Sequence, residues 1–185
     1  MVTLTLLRHA KSSWDDPGLD DFDRPLSARG REAAPLMGAY MARHGIAPEV
    51  VICSSAQRTR ETLDLVLPQL SPAPREVKVQ RQLYLAAPSR LKAVIARLGA
   101  LAGAPEHIML VGHNPGLHAL AVELAGAGPP ADLADLLRKL PTAGLVVLTF
   151  RARRFTEIAG ERAMRVHFMT PRRLMAQSPA AEEDH

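Results

Sequence analysis

Cysteine is almost absent from this chain of 185 residues, which contains only Cys53. A single cysteine excludes an intramolecular disulfide and a metal centre built from several thiolates. Long apolar runs are also missing, because residues 1–7 are too few for a secretory signal and no later run could span a bilayer. We therefore predict a cytoplasmic protein without a membrane partner.

Aromatic residues are scarce, and positive charge is concentrated in one part of the chain. Residues 138–173 contain nine Lys and Arg residues against Glu157 and Glu161, whereas residues 1–137 contain 14 basic and 14 acidic residues. Such a basic segment could steer an acidic partner or could simply form a solvated face. Because the segment has few aromatic side chains to stack on bases, we predict no nucleic-acid partner.

Apolar runs of strand length alternate with helical periodicities. Strands are predicted at 2–7, 49–53, 77–79 and 107–111, with a closing hairpin or sheet-edge pair at 144–150 and 163–169. This order predicts an α/β fold, a three-layer α/β/α sandwich around a mainly parallel central sheet. We expect a single domain over residues 1–175 and a disordered tail at 176–185.

The predicted helices begin at polar or proline residues. Ser27 is expected to cap the first helix, in which Pro35 should cause a kink or a delayed start and Leu36 should belong to the apolar face. Ser54 or Ser55 is expected to cap a helix over 57–67. Further helices are predicted at 89–102 and from Pro115 onward, residues 11–25 should form a loop, and residues 126–130 should form a break.

Arginine and histidine follow three of the predicted strands directly. Arg8 and His9 follow the first strand, Arg58 lies in the helix after the second, and His113 with Asn114 follows the fourth. Ligands bind beyond the carboxyl ends of strands in such sheets, so these groups could form a pocket for a phosphate dianion. No HxxxH or HExxH spacing is present and Arg8 would repel a cation, so we predict neither a metal nor another cofactor.

Three segments resemble the signature segments of the histidine phosphatase, or phosphoglycerate mutase-like, superfamily: LLRHAKS at 6–12, SSAQRTRET at 54–62 and LVGHNPGL at 110–117. The segments KLPTAGLVVLTF and FMTPRRL are most similar to its short, SixA-like phosphohistidine phosphatases. The resemblance implies the phosphoglycerate mutase-like fold, His9 as the phosphorylated nucleophile, and a phosphate pocket formed by Arg8, Arg58, His113 and Asn114.

Those roles require particular protonation states. His9 can attack phosphorus only through an unprotonated nitrogen, which a carbonyl or carboxylate acceptor on its other nitrogen would secure. His113 is expected to donate a hydrogen bond to a phosphoryl oxygen and to be cationic when ligand is bound.

The chain departs from the superfamily pattern at two places. Ala10 replaces the usual glycine after the histidine, which a small residue should tolerate unless a positive φ is required. Residues 79–84 contain no carboxylate, although the mutase and ester-phosphatase branches place a Glu there. An imidazole leaving group needs less protonation than an alkoxide, so a phosphohistidine substrate is favoured. A loop aspartate remains a candidate acid or base: Asp15, Asp16, Asp20, Asp21 or Asp23.

Only 55 positions separate Arg58 from His113, which leaves little chain for a lid. An open pocket would accept a phosphorylated protein, such as a phosphohistidine carrier, and Arg151, Arg153 and Arg154 could help to dock an acidic one. Two alternatives remain open, namely a phosphatase of small phosphate esters and a non-catalytic phosphate-binding module. A mutase is disfavoured because no acid/base residue has been found for it.

Overall fold

A six-stranded sheet forms the centre of the protein in the computed structural model, which describes residues 1–177. The strands are listed here in chain order: β1 (Val2–Arg8), β2 (Val50–Ser54), β3 (Glu76–Gln80), β4 (His107–Gly112), β5 (Leu145–Phe150) and β6 (Arg165–Met169). Their order across the sheet is β3-β2-β4-β1-β5-β6. The first four pair in parallel, whereas β5 runs antiparallel to both β1 and β6. The predicted mainly parallel sheet and closing antiparallel pair are confirmed.

Helices cover both faces of this sheet. They are α1 (Ala28–Arg43), α2 (Gln57–Val66), α3 (Pro88–Gly99), α4 (Gly116–Leu124), α5 (Pro130–Arg138) and α6 (Pro171–Gln177). Short 3-10 helices lie at Asp21–Asp23, Leu67–Gln69, Arg81–Leu83 and Phe155–Glu157. One apolar cluster joins α1 and α2 to one face of the sheet, and a second joins α3, α4 and α5 to the other. The predicted three-layer sandwich is therefore confirmed. Within residues 1–177, no helix is both long and apolar enough to cross a membrane.

The alternation of side chains along β4 shows why the sheet needs helices on both faces. Ile108 and Leu110 belong to the cluster with α3 and α4, whereas Met109 and Val111 belong to the cluster with α1 and α2. All four side chains are fully buried. Burying one such side chain contributes roughly 1.5–3 kcal/mol, so both layers are needed to stabilise the central strands.

Helix α1 follows the sequence prediction at its start but not along its whole apolar face. The Ser27 hydroxyl caps it by accepting a hydrogen bond from the Gly30 amide at 3.1 Å. Pro35 lies inside the helix and does not delay its start, because the helix already begins at Ala28. Leu36 was predicted to belong to the apolar face of this helix, but it is not buried with the other apolar residues, since its side chain is 43% exposed.

Three other sequence predictions need correction. Neither Ser54 nor Ser55 caps α2, whose N-cap is Ala56 without a side-chain hydrogen bond. Helix α5 was not predicted at all. The predicted tail began too early, because Ala176 and Gln177 are the last residues of α6, and the rest of that segment lies outside the described residues.

The basic residues of the C-terminal third lie at two opposite ends of the sheet. Strand β5 is antiparallel to β1 and Phe150 pairs with Val2, so Arg151, Arg153 and Arg154 follow β5 at the amino end of β1. The seven residues of β1 separate this end of the sheet from the end that bears His9, a distance of roughly 20 Å. These three arginines therefore lie away from the predicted pocket, and their role in docking a protein substrate stays a prediction.

Gly116 allows α4 to pack closely against the segment that carries Tyr84. A Cβ at position 116 would overlap the carbonyl oxygen of Ala86, a backbone atom that cannot rotate away. We expect Gly116→Ala to lower the free energy of unfolding by roughly 1–3 kcal/mol in urea titrations. Gly112→Ala is the control, because its Cβ would meet only Leu117 Cδ1 at 3.8 Å. Equal loss in both variants would contradict this account.

Candidate active site

The carboxyl ends of β1 and β4 place His9 and His113 side by side. Arg8 pairs with Gly112 at the last register position of these parallel strands, and the His9 amide donates to the Gly112 carbonyl at 3.1 Å. The two imidazole centroids are 5.3 Å apart. Residues that are 104 positions apart in sequence are thus brought together by strand pairing, as predicted.

The hydrogen bond of His9 determines which of its nitrogens is free. Nδ1 lies 2.8 Å from the Ala10 carbonyl oxygen, which can only accept, so Nδ1 carries the proton. Burial, aided by the charges of Arg58 and Arg8, lowers the pKa of His9 to about 4 against the opposing effect of the Ala10 hydrogen bond. At neutral pH the ring is uncharged and Nε2 has a free lone pair. This is the protonation state that attack on phosphorus requires.

His113 makes a hydrogen bond to the last residue of β2. Its Nε2 lies 2.8 Å from the Ser54 hydroxyl, and the Tyr84 ring packs edge-on against its imidazole with centroids 5.3 Å apart. Burial first, and then the charges of His9 and Arg58, lower its pKa to about 3. His113 is therefore neutral in the free protein. Its conversion to a cation beside a bound phosphate remains a prediction.

Two guanidinium groups lie at the same sheet edge. Arg58 is in the first turn of α2, directly after β2, and is only 4% exposed. Arg8 donates through Nη1 to the Leu140 carbonyl oxygen at 3.0 Å. The pKa of Arg8 is lowered by burial and then by the nearby charge of Arg58. Keeping two cations this close is costly without an anion, so the pair is suited to binding a phosphoryl group.

Asp21 is the loop aspartate that reaches this cluster. Its Oδ2 accepts hydrogen bonds from Tyr84 at 2.6 Å and from Arg58 Nη2 at 2.9 Å, and the Asp21 carbonyl accepts another from Arg58 Nη1. Oδ1 accepts from Arg24 at 3.2 Å. The Tyr84 hydrogen bond and then the Arg58 hydrogen bond and charge lower the pKa of Asp21 to about 2, outweighing partial burial. Asp21 is therefore a carboxylate at neutral pH and has no proton to donate.

The other four loop aspartates do not contact the site in the described structure. Asp16 accepts from the Gly18 amide at 2.9 Å and shapes the turn. Asp15, Asp20 and Asp23 make no side-chain contact with His9, His113, Arg8 or Arg58 within residues 1–177. Sequence spacing could not choose among the five candidates, whereas the fold brings Asp21 alone to the predicted residues.

Asn114 joins the site to the loop 139–143. Its side-chain amide donates to the Leu140 carbonyl at 2.8 Å, the same oxygen that accepts from Arg8. Within residues 1–177, four buried side-chain atoms lack a hydrogen-bond partner: Arg8 Nε, Ser55 Oγ, His113 Nδ1 and Asn114 Oδ1. All four belong to residues that end or follow β1, β2 and β4, and unpaired buried polar groups are typical of functional sites.

Ala10 fits at the position where the superfamily usually has glycine. Its side chain is fully buried, and its amide donates to the Thr62 hydroxyl at 2.9 Å. Within residues 1–177, the non-glycine residues with positive φ are Leu85 and Ala143, so Ala10 needs no glycine-like conformation. The expectation that alanine is tolerated here is confirmed.

Within residues 1–177, neither the Cys53 thiol nor a cluster of metal-binding side chains adds reactive chemistry to the site. Burial raises the pKa of the Cys53 thiol to about 12, so the thiol is protonated and unreactive at neutral pH. Within residues 1–177, no group of three or more His, Cys, Asp or Glu side chains is arranged to hold a metal ion.

Three site contacts were not predicted from the sequence. Ser54 binds His113, Thr62 connects the Ala10 amide to the Arg58 carbonyl, and Tyr84 binds Asp21. Tyr84 follows β3 closely, and the position of residues after strands is a signal that could have identified it. Thr62 lies inside α2, where spacing alone gives no such signal.

The protonation state of His9 can be measured directly by NMR. We expect ¹⁵N shifts characteristic of the Nδ1–H tautomer at pH 7 and a midpoint near pH 4, because protonation at Nε2 would place a second charge in a buried site beside Arg8 and Arg58. His9 thus remains neutral at every pH well above that midpoint. A midpoint near the usual value of about 6.5 would contradict the assignment.

Comparisons with known proteins agree with this geometry. The sequence profile described as "Histidine phosphatase superfamily (branch 1)" matches residues 4–85. The uncharacterized protein ML1117 of Mycobacterium leprae is 35% identical over 170 residues, 90% of this chain and 100% of that protein.

Two solved structures extend the likeness to almost the whole fold. A candidate phosphohistidine phosphatase SixA from Agrobacterium tumefaciens has a TM-score of 0.72 and 29% identity, covering 92% of this chain and 98% of that one. A second candidate SixA, from Nakamurella multipartitia, has a TM-score of 0.74 and 28% identity, covering 92% and 96%. The chain belongs to the histidine phosphatase superfamily. Within that superfamily it is similar to the short SixA-like proteins, which confirms the resemblance seen in the sequence.

Proposed function

We propose that this protein is a metal-independent phosphatase that removes the phosphoryl group from phosphohistidine in another protein, with His9 as its nucleophile. The observation that carries the proposal is the hydrogen bond from His9 Nδ1 to the Ala10 carbonyl, which leaves Nε2 unprotonated beside two guanidinium groups. Superfamily membership supports the phosphatase activity, and the SixA-like neighbours support the substrate class.

The reaction takes place in two displacements at phosphorus. In the first, His9 Nε2 forms a bond to phosphorus while the bond to the substrate imidazole breaks. The substrate ring carries a proton on its other nitrogen, so it leaves as neutral imidazole with the electron pair of the broken bond. In the second, water attacks the phosphoryl group on His9, inorganic phosphate is released, and the proton from water passes to phosphate or solvent. Arg8, Arg58 and His113 stabilise the equatorial oxygens, each donor typically contributing a few kcal/mol. Asn114 acts through Leu140 by positioning Arg8.

The lack of a carboxylic acid at the site favours phosphohistidine over an alkyl phosphate. Asp21 contacts the site as a carboxylate whose pKa is about 2, and the pKa of Tyr84 is raised by burial and by Asp21. Neither group can readily protonate a leaving alkoxide at neutral pH, whereas imidazole leaves with much less assistance. The state of these two groups, which contact Arg58 and His113, therefore supports the proposed substrate preference.

The short connection between α2 and β4 favours a protein substrate. Between α2 and β4, the described chain forms only β3, α3 and short 3-10 helices, all of which belong to the core sandwich. Asp21 has a half-exposed side chain at the mouth of the site. This part of the described chain, between α2 and β4, therefore contributes no separate lid over His9, which favours a phosphorylated side chain on a protein surface as the substrate.

The test compares phosphate release from a histidine-phosphorylated peptide and from an aryl phosphate, both in the presence of EDTA. We expect kcat/KM to be higher for the phosphohistidine peptide and activity to persist in EDTA. Preference for the aryl phosphate would replace this proposal with a small-ester phosphatase. Binding of phosphate without turnover of either substrate would favour a non-catalytic binding module.

Asp21 is expected to be a positioning residue that also competes with the substrate for Arg58. In Asp21→Asn, Arg58 loses its anionic partner, so inorganic phosphate should bind several-fold more tightly while kcat falls by about tenfold because Arg58 is less well oriented. The measurements are phosphate inhibition constants and steady-state kinetics.

Asp23→Asn is the matched control, because Asp23 is exposed in the same 3-10 helix and does not contact the site. Asp23→Asn should keep the phosphate inhibition constant and kcat within about twofold of their values in the original protein. A parallel loss of phosphate affinity and kcat in Asp21→Asn would show that the carboxylate assists binding instead of competing with it.

A further inference from the structure

A long groove runs beside the candidate active site, between α1, α6 and the loop 139–143. Its volume is about 1200 Å³, larger than the 300–1,000 Å³ typical of small-ligand pockets. The exposed side chains of Leu36 and Met175 contribute to its apolar lining. Leu36 is the residue whose exposure contradicted the amphipathic pattern of α1, so an apolar surface is present here without a partner among the described residues.

The rim of this groove is strongly basic. Six basic and two acidic residues line it: Lys11, Arg29, Arg138, Lys139, Arg172 and Arg173, with Glu32 and Asp135. Asp135 is already paired with Arg138 and Arg173.

Four of the cations have no partner of their own. Among residues 1–177, the side chains of Lys11, Arg29, Lys139 and Arg172 form no ion pair or hydrogen bond. All four are exposed. They come from four separate segments of the chain, and the fold gathers them along one side of the site.

The groove and the active site share a wall. The Ala143 amide donates to the His9 carbonyl at 3.0 Å, and the Leu140 carbonyl accepts from Arg8 and Asn114. Lys11 follows His9 by two positions, and its carbonyl accepts from the Ser27 amide at 2.9 Å. A partner seated in the groove would therefore lie close to the end of β1 that carries His9.

We propose that this groove docks an acidic surface of the phosphorylated protein substrate, with carboxylates on the basic rim and an apolar side chain over Leu36 and Met175. The inference rests on the proposed function and adds the surface that selects the partner. A polynucleotide fits less well, because among residues 1–177 no exposed aromatic side chain lines the groove for base stacking. The charge on the rim would act mainly by raising the rate and specificity of encounter.

The test uses two histidine-phosphorylated peptides of equal length, one with glutamates around the phosphohistidine and one with glutamines. The groove variant combines Arg29→Gln, Lys139→Gln and Arg172→Gln. The control variant combines Arg151→Gln, Arg153→Gln and Arg165→Gln, which removes the same charge from exposed side chains at the opposite end of the sheet. Turnover of both peptides and of an aryl phosphate is measured at low and high salt, and binding of the unphosphorylated peptides is measured by fluorescence anisotropy.

We expect the groove variant to lose about tenfold in kcat/KM and in affinity for the glutamate peptide at low salt, because each exposed charge pair contributes roughly twofold. The control variant should change by less than twofold, and 0.5 M salt should abolish the difference between the two peptides. Turnover of the glutamine peptide and the aryl phosphate should be unchanged in both variants.

Several results would overturn the proposal. Equal losses in the groove and control variants would indicate an effect of net charge, and an equal loss with aryl phosphate would assign the groove to catalysis. Stronger competition by an oligonucleotide of matched charge would indicate a nucleic-acid partner. If phosphohistidine is not hydrolysed, the proposed function fails, and the anisotropy data still decide whether the groove binds acidic peptides.

Discussion

Replacing His9 with alanine will reduce phosphatase activity by roughly 10⁴-fold or more and will abolish the phosphorylated enzyme intermediate. The magnitude follows from the position of His9, whose Nε2 is the unprotonated nitrogen between His113 and the two arginines. His113 is not an equivalent nucleophile when its Nε2 accepts from the Ser54 hydroxyl, because the single proton of the neutral ring is then on Nδ1. The measurement is a rapid quench with ³²P-labelled substrate, followed by acid and alkali treatment of the labelled protein.

The label on the original protein should be stable in alkali and lost in acid, as expected for a phosphorus–nitrogen bond. His9→Gly provides a second variant, because the space left by the ring could admit free imidazole as a substitute nucleophile. Partial recovery of turnover with added imidazole would confirm that the missing group is the nucleophile. Undiminished turnover in His9→Ala would refute nucleophilic catalysis by this residue.

The sequence was sufficient to predict the parts of the site that depend on strand ends. Arg8 ends β1, and His9 and His113 follow β1 and β4. The parallel pairing of these apolar strands fixes the three positions, so their convergence could be deduced from the sequence. Arg58 was equally predictable because it lies in the first turn of the helix after β2. The closing pair β5 and β6 was identified because both segments are apolar and separated by a polar connection.

Contacts made by loops could not be predicted in this way. Asp21 reaches Arg58 and Tyr84 because a 3-10 turn and the Ser12–Leu26 bridge fix the loop, and neither has a distinctive sequence signal. Ser54 was expected to cap a helix, but its hydroxyl instead binds a histidine 59 positions away. Helix α5 was missed because its nine residues follow a Gly- and Pro-rich break and only Leu136 is buried. In each of these three cases, contacts between distant parts of the chain determined the structure more than the local sequence preference did.

Replacing Arg58 with alanine should lower kcat/KM by roughly 10²–10³-fold, the usual effect of removing one donor that stabilises the transition state. The pKa of His9 should rise, since the Arg58 charge is one of the factors that lower it. Steady-state kinetics and NMR titration of His9 measure the two effects. Arg60→Ala is the matched control, because Arg60 is an exposed residue on the same helix, and it should leave both quantities nearly unchanged.

The loss of Arg58 also leaves the Asp21 carboxylate facing the phosphate pocket without its closest cation. Part of the loss in Arg58→Ala should therefore come from repulsion between this carboxylate and the substrate, so the double variant Arg58→Ala/Asp21→Asn should recover activity several-fold over the single variant. Asp21→Asn is thus expected to lower kcat in the original protein but to raise activity in the Arg58→Ala background. Independent effects of the two substitutions could not produce this reversal. Additive losses in the double variant would mean that Asp21 acts on catalysis without competing for Arg58.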